Sequence, residues 1–200
     1  MRLPAVLSLA LGVSVAACGS PSGPSGSGNL RLMITDAPYD DASAVHVTFS
    51  EVKAHRAEDA TDEWITIPFA GTPAATTRTC NLKKLQGPQD VLGVASLEPG
   101  DYTQLRLVVS NATIYFGGTA TGEAACLTTL APPAGTGITS QAMEISSGEV
   151  RLNRPFELMS NGTTTIELDF DGARSINQAG NGSYRMTPVI GIKTVNVSAP

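Results

Sequence analysis

The chain has 200 residues, 42% of them hydrophobic and 5% aromatic, with 13 Lys and Arg against 18 Asp and Glu for a net charge of −5. A balance this acidic argues against nucleic acid as a partner, because reading a phosphate backbone takes a basic face. About 170 residues after a leader fit one domain and are enough to bury a core.

The amino end reads as a secretory signal peptide over residues 1–17. Arg2 is followed by an uncharged apolar run from Leu3 to Ala17 that closes in small residues. The run falls short of the roughly 20 residues that a comfortable membrane span needs. Val15, Ala16, Ala17 and Cys18 look like a bacterial lipobox, in which Cys18 is acylated and becomes the first residue of the mature chain. Several acyl chains on one residue anchor stably where a single chain does not. The alternative is an ordinary secreted protein cleaved elsewhere. Residues 18–28 continue as "CGSPSGPSGSG", a Gly/Ser/Pro stretch that cannot bury enough surface to fold and is expected to be a flexible tether. The uncharged Gly19 beside the anchor resembles the sorting pattern of outer-membrane lipoproteins. Without residues 1–17 the chain keeps 12 basic and 18 acidic residues, a net charge near −6.

From Asn29 onward, short alternating runs replace any sustained helical periodicity. Leu30, Leu32 and Ile34 share one face of "NLRLMIT", as do Val45, Val47 and Phe49 of "SAVHVTFS". The second alternation slips at Glu51, after which Val52 and Ala54 take over, which predicts a bulge. Further strands are expected in "EWITIPF", "RTCNLKKL", "YTQLRLVVSNATIYF", "ACLTTL", "QAMEI", "RPFELM", "TTTIELDF" and "TPVIGIKTVNV". Nine or ten such strands indicate an all-β, antiparallel sandwich with little helix, one or two turns for example near Asp90 to Val94. "TLAPPAGTG" reads as a loop, and Asn181-Gly182 as a tight turn between "ARSI" and "YRMTPVI".

Candidate chemistry is sparse. Cys80 and Cys126 are expected to form a disulfide in an oxidising compartment, with two buried thiols as the alternative. Closing a loop of this length contributes about 4 kcal/mol by loop-closure entropy. His46 and His55 are the only histidines and neither has zinc-motif spacing with a cysteine. Glu167, Asp169 and Asp171 alternate with Ile166, Leu168 and Phe170, so they form a line of carboxylates about 6.5 to 7 Å apart on the side opposite the core. One flat row does not straddle a glycosidic bond. Calcium accepts six to eight oxygens in loose geometry, so a composite site is conceivable if Asp36, or Asp40 and Asp41 beside it, joins Asp169 and Asp171. The plainer reading is a solvated strand face, an Asp171-Gly172 turn, and Asp36 accepting from nearby backbone amides. Tyr102, after "EPG", is expected to anchor that turn through its hydroxyl. Arg106 should pair with a carboxylate on a neighbouring strand, and Trp64 should be a core or sheet-edge residue more than a sugar platform. No serine stands in a nucleophile elbow, and "GTGITS" lacks the lysine of a phosphate-binding loop.

Three stretches resemble a known family when taken together: "LRLMITDAPYDDASAVHVTFSEVKAH", with its Thr-Asp-Ala-Pro corner; "NLKKLQGPQDVLGVASLEPGDYTQLRLVV"; and "IELDFDGARSINQAGNGSYRMTPVI". In this order and spacing they resemble a family of bacterial envelope lipoproteins catalogued as domain of unknown function number 4382. The resemblance covers most of residues 29–197 and departs from the family pattern near Thr129 to Gln141. It implies a β-sandwich akin to transthyretin-like or carboxypeptidase-regulatory-like modules and no known reaction.

The sequence thus leads to a signal peptide over 1–17, a lipidated Cys18 and tether over 18–28, and a β-sandwich domain over 29–200. The expected role is a non-enzymatic binding or structural module at the cell envelope. It would be lipid-anchored, in the outer membrane where there is one, with an envelope protein or a glycan as partner. No cofactor is assigned. A calcium- or carbohydrate-binding adhesion module is the alternative, and a carboxylate-based hydrolase stands behind it.

Overall fold

Strand pairing dominates the computed structural model, which describes residues 26–37, 39–57, 64–71, 75–87, 89–120, 122 and 124–200. The signal peptide, Cys18 and Pro38 of the Thr-Asp-Ala-Pro corner lie outside the described residues. In chain order the strands begin with β1 (Gly28–Ala37), β2 (Ala44–Arg56), β3 (Trp64–Thr66) and β4 (Arg78–Asn81). A 3-10 turn at Leu82–Lys84 leads to β5 (Asp90–Leu97), the long β6 (Gly100–Phe116) and β7 (Cys126–Leu127). Then come β8 (Thr139–Ala142), β9 (Glu144–Ile145), β10 (Glu149–Leu152), β11 (Phe156–Leu158) and β12 (Thr163–Asp171). A one-turn helix, α1 (Gly172–Ser175), precedes β13 (Ile176–Gln178), β14 (Tyr184–Met186) and β15 (Ile190–Ser198).

Two sheets make the sandwich. One is four-stranded in the order β15-β12-β1-β5. The other runs β10-β6-β2-β4-β7, with β8 and β11 also on β6 and β3 on β2, while β13-β14-β9 form a small third sheet. The expected purely antiparallel pattern is broken at two places, since β1 pairs with β12 and β9 with β14 in parallel. Parallel neighbours need a long connection, and here the chain from β2 to β11 separates β1 from β12. The all-β sandwich expected from the alternation is what forms.

The alternating faces become the core as anticipated. Leu30, Leu32 and Ile34 of β1 and Ile166, Leu168 and Phe170 of β12 are fully buried against Val45, Val47 and Phe49 of β2 and Leu105 and Leu107 of β6. Phe49 and Phe170 meet edge to face across the two sheets at 6.4 Å. The slip at Glu51 is a register shift in the β2–β6 pair between Phe49 and Glu51.

Three expectations need adjustment. Asp90 to Val94 is not a helical turn but the start of β5. That strand finds backbone partners on both edges: β1 on one side, and residues 67–70 on the other through Ala70 N to Leu92 O (3.0 Å) and Val94 N to Pro68 O (3.2 Å). The stretch "ARSI" is mostly α1, so the Asn181-Gly182 turn joins β13 to β14; Gly182 there has φ +84°, and its amide donates to Ala179 O at 2.9 Å. Gly28, placed in the tether, is already in β1, paired with Leu97 and so enclosed that a Cβ would lie 2.8 Å from Met159 O.

Cys80 and Cys126 face each other across β4 and β7 and are joined by a disulfide closing 46 residues. Beside it Asp90 accepts from Cys126 N at 2.9 Å and pairs with the buried Arg78 at 3.3 Å. Arg78 also donates to Ala70 O at 2.7 Å. Asp90 therefore ties β5 to β4 and β7.

Strand directions define two poles. At one, the start of β1 lies beside the end of β5 (Gly28 with Leu97), the end of β15 (Ser198 with Thr163) and β11 with the start of β6 (Leu158 with Gly100). The opposite pole carries the end of β1, the 3-10 turn, the end of β6 at Phe116, α1 and β14.

Candidate functional site

The acidic residues singled out by the sequence all come from the parallel pair β1–β12, so register decides what they can do together. On β12 the burial strictly alternates from Thr163 to Asp171, which leaves Glu167, Asp169 and Asp171 on the outer face. Their partners on β1 are Met33, Thr35 and Ala37. Asp36 pairs instead with Phe170, a fully buried core residue. Because paired residues project to the same side of a sheet, Asp36 stands on the core side, opposite Asp169 and Asp171.

The conceivable composite set of Asp36, Asp169 and Asp171, to which no metal was assigned, is therefore not assembled. Among the described residues no three His, Cys, Asp or Glu side chains come together in a group that could hold a metal ion. The physical reason is the two-residue period: Leu30, Leu32, Ile34 and Asp36 are one series, and the last member follows the others inward.

Two of the three outer acids, Glu167 and Asp171, make structural contacts. Glu167 forms an ion pair with Lys193 of β15 at 3.0 Å and accepts from Thr194 Oγ1 at 3.2 Å. The Lys193 ammonium, chiefly, holds its carboxyl below the usual carboxylate range, with Thr194 and Gln89 adding to the effect. Asp171 caps α1, accepting from Arg174 N at 2.9 Å, as Asp does at helix starts. The expected Asp171-Gly172 turn is thus the start of that helix. Ser175 then anchors the turn by donating to Asp171 O (2.6 Å) and accepting from Val189 N (2.9 Å).

Asp36 is the chemically unusual residue. It is 6% exposed, its Oδ1 accepts from Gly172 N at 3.1 Å, and its Oδ2 is buried without a hydrogen-bond partner. The carboxyl packs so closely on Gly172 that a Cβ there would lie 3.1 Å from Oδ1. Burial pushes its pKa up from an ordinary 3.8 to about 8; the Gly172 amide opposes this, Asp169 and Asp171 add to it through the sheet, and Lys83 opposes it. At neutral pH the group is thus largely a neutral acid. Strongly perturbed acids cluster at functional sites, where burial tunes them to a task, and they also occur in purely structural networks.

Around this corner, Asp36 N donates to Leu85 O at 3.1 Å and Thr35 Oγ1 donates to the same carbonyl at 2.9 Å. Lys83 Nζ donates to Tyr39 O at 3.0 Å and lies 3.7 Å from Asp40. Burial, chiefly, raises the Tyr39 phenol pKa, with Tyr184 adding to the effect, and Tyr184 packs on Phe116 at 5.4 Å. Lys83, Tyr39, Tyr184 and Phe116 were not singled out by the sequence. Only the spacing of "TDAPYDD" after a strand pointed here.

The family model described as Domain of unknown function (DUF4382) matches residues 27–188. The chain belongs to that family. No curated protein and no solved structure matches the chain. The DUF4382 match takes in Asp36, Gly172 and the three outer acids, and it ends before β15, so Lys193, the partner of Glu167, lies beyond it.

The remaining sequence candidates hold structural positions in this DUF4382 chain. Tyr102 is fully buried, donates to Glu98 O at 2.9 Å and stacks on Phe156 at 5.2 Å, so its hydroxyl anchors the "LEPGDY" turn as expected. Arg106 lies 3.7 Å from Glu149 of β10, with its guanidinium 4.1 Å from the centre of the Trp64 ring. Trp64 itself is half-buried on the short strand β3, with His55 on its ring at 5.1 Å. With Arg106 stacked over it, that ring face does not present a sugar platform.

Proposed function

We propose that this chain is a lipid-anchored module of the bacterial cell envelope that binds or supports an envelope partner and performs no catalysis. Cys18, following a signal peptide over residues 1–17, is the residue that carries the acyl chains. The outer membrane is its address where the host has one, given the uncharged Gly19 beside the anchor.

The observation that carries the non-catalytic part is the engagement of the acids. Glu167 is neutralised by Lys193, Asp171 caps α1, and Asp36 faces the other side of the sheet. Carboxylates so placed supply stability and register and no acid and base facing one reacting atom. The export part draws support from the Cys80–Cys126 disulfide, a bond that persists in oxidising compartments.

Two arms test the reading. Cys18→Ser should move the protein from the membrane fraction to the soluble one and abolish acylation; retention with unchanged acylation contradicts anchoring. The anchored protein, solubilised and used as bait against envelope components with and without calcium, should retain a protein or glycan partner. Turnover of an ester, peptide or glycoside substrate by the pure protein, lost in Asp169→Asn, would instead establish an enzyme.

A further inference from the structure

The pole at which β1 begins brings several chain segments together. Gly26 and Ser27 sit against the turn between β11 and β12: Ser27 O accepts from Asn161 N at 2.9 Å, and Asn29 N donates to Gly162 O at 2.9 Å. Gly162 brings two other segments together, since its Cβ position lies 3.0 Å from the Met159 side chain and 2.8 Å from Ser198 O. Met159 is 39% exposed and Val197, next to Ser198, is 45% exposed. Pro99, Leu158, Met159 and Pro200 also line a groove of about 400 Å³ at this pole. Of the large apolar side chains exposed among the described residues, these two are gathered at the pole, while Val94 and Leu127 stand on β5 and β7.

Chain length adds a second constraint. Gly26 lies eight positions after Cys18. Fully extended, such a segment reaches at most about 28 Å. The ten residues of β1 carry the chain about 30 Å from Gly28 to the opposite pole. An anchor at Cys18 therefore keeps the Met159 pole within about 28 Å of the lipid, whereas the Asp36, Tyr39 and Tyr184 corner lies a further β1 length along the chain.

We propose that the pole formed by Met159, Val197, Pro99 and Pro200 is a docking surface for the lipid bilayer, so that the anchored sandwich stands on the membrane with its Tyr39–Tyr184 corner outward. The proposal rests on the acylation of Cys18 put forward above. The local charges indicate how the contact works. Arg56 is paired with Glu98, and Asp101 and Glu157 add negative charge, so headgroup attraction to a basic patch is not the mechanism. Shallow insertion of Met159 and Val197 is, and it is salt-insensitive. A short tether raises the effective concentration of the surface into the millimolar range, so a weak contact suffices.

The test uses the full acylated protein in phosphatidylcholine vesicles containing lipids brominated near the headgroup. An environment-sensitive fluorophore is placed at Met159→Cys, at Val197→Cys, or at Ser183→Cys on the exposed β13–β14 turn. Quenching at 159 and 197 at least twofold greater than at 183, unchanged between 50 mM and 500 mM salt, is the expected result. Equal quenching at all three positions of an acylated, vesicle-bound protein overturns the docking surface alone. Absence of acyl mass on Cys18 overturns the anchoring reading, and the docking surface with it.

Discussion

Replacing Asp36 by Asn removes one titration from the middle of the molecule while keeping an oxygen for the Gly172 amide. In the unfolded chain this carboxyl ionises near 3.8, whereas in the folded chain it does so near 8. Between those values the native state keeps a proton that the unfolded state has released, so stability from this group falls as pH rises and levels off above about 8. The span between those two values, at about 1.36 kcal/mol per pH unit, sets a ceiling of about 5 kcal/mol. Water entry and movement of the Lys83 ammonium toward the ionised group reduce this, and about 2 to 4 kcal/mol is expected to be lost between pH 4.5 and 9. Urea unfolding of wild type and Asp36→Asn at matched pH values isolates the effect, because every other titrating group is common to both. The two proteins should be similar near pH 4.5, and the variant should be the more stable one at pH 9. A difference that stays constant across that range would falsify the burial argument.

Other contacts make equally definite demands. Replacing both Cys80 and Cys126 by Ala should cost about 2 to 4 kcal/mol in urea unfolding, since it releases the 46-residue closure; a loss under about 0.5 kcal/mol would mean that the bridge constrains nothing. Asp90→Ala leaves Arg78, with 8% of its side chain exposed, without its carboxylate partner, and about 3 kcal/mol should be lost in the same measurement. Tyr102→Phe keeps the stack on Phe156 and deletes the bond to Glu98 O, so a loss of about 1 kcal/mol is expected, with no change in circular dichroism.

How far the sequence revealed this structure depended on the range of the interaction involved. The two-residue period of "NLRLMIT" and "TTTIELDF" is a local property, and it yielded the core faces of β1 and β12 and the outward row of Glu167, Asp169 and Asp171. The tyrosine anchor after "EPG" was legible for the same reason, as its partner Glu98 is four residues away. The plainer reading of Asp36, as an acceptor for a backbone amide, is what forms, with Gly172 N as the donor. Carrying the Leu30, Leu32, Ile34 alternation one step further puts Asp36 on the core side, which is why it does not join Asp169 and Asp171. The parallel neighbourhood of β1 and β12 could not be read locally, because the contact that closes it, Asp36 with Gly172, spans 136 residues. Nor could β5, where the apolar run "VLGVASL" hides its alternation and the β1 side of the pair carries an irregularity between Leu32 and Met33.

The measurement that bears most directly on the account is the intact mass of the mature protein extracted from the envelope, with sequencing of its amino-terminal peptide. The account predicts a chain that begins at Cys18, carries diacylglyceryl and N-acyl groups there, and is two hydrogen atoms lighter than the reduced form through the Cys80–Cys126 bond. A chain that begins elsewhere, or that begins at Cys18 with a free thiol and amine, contradicts it.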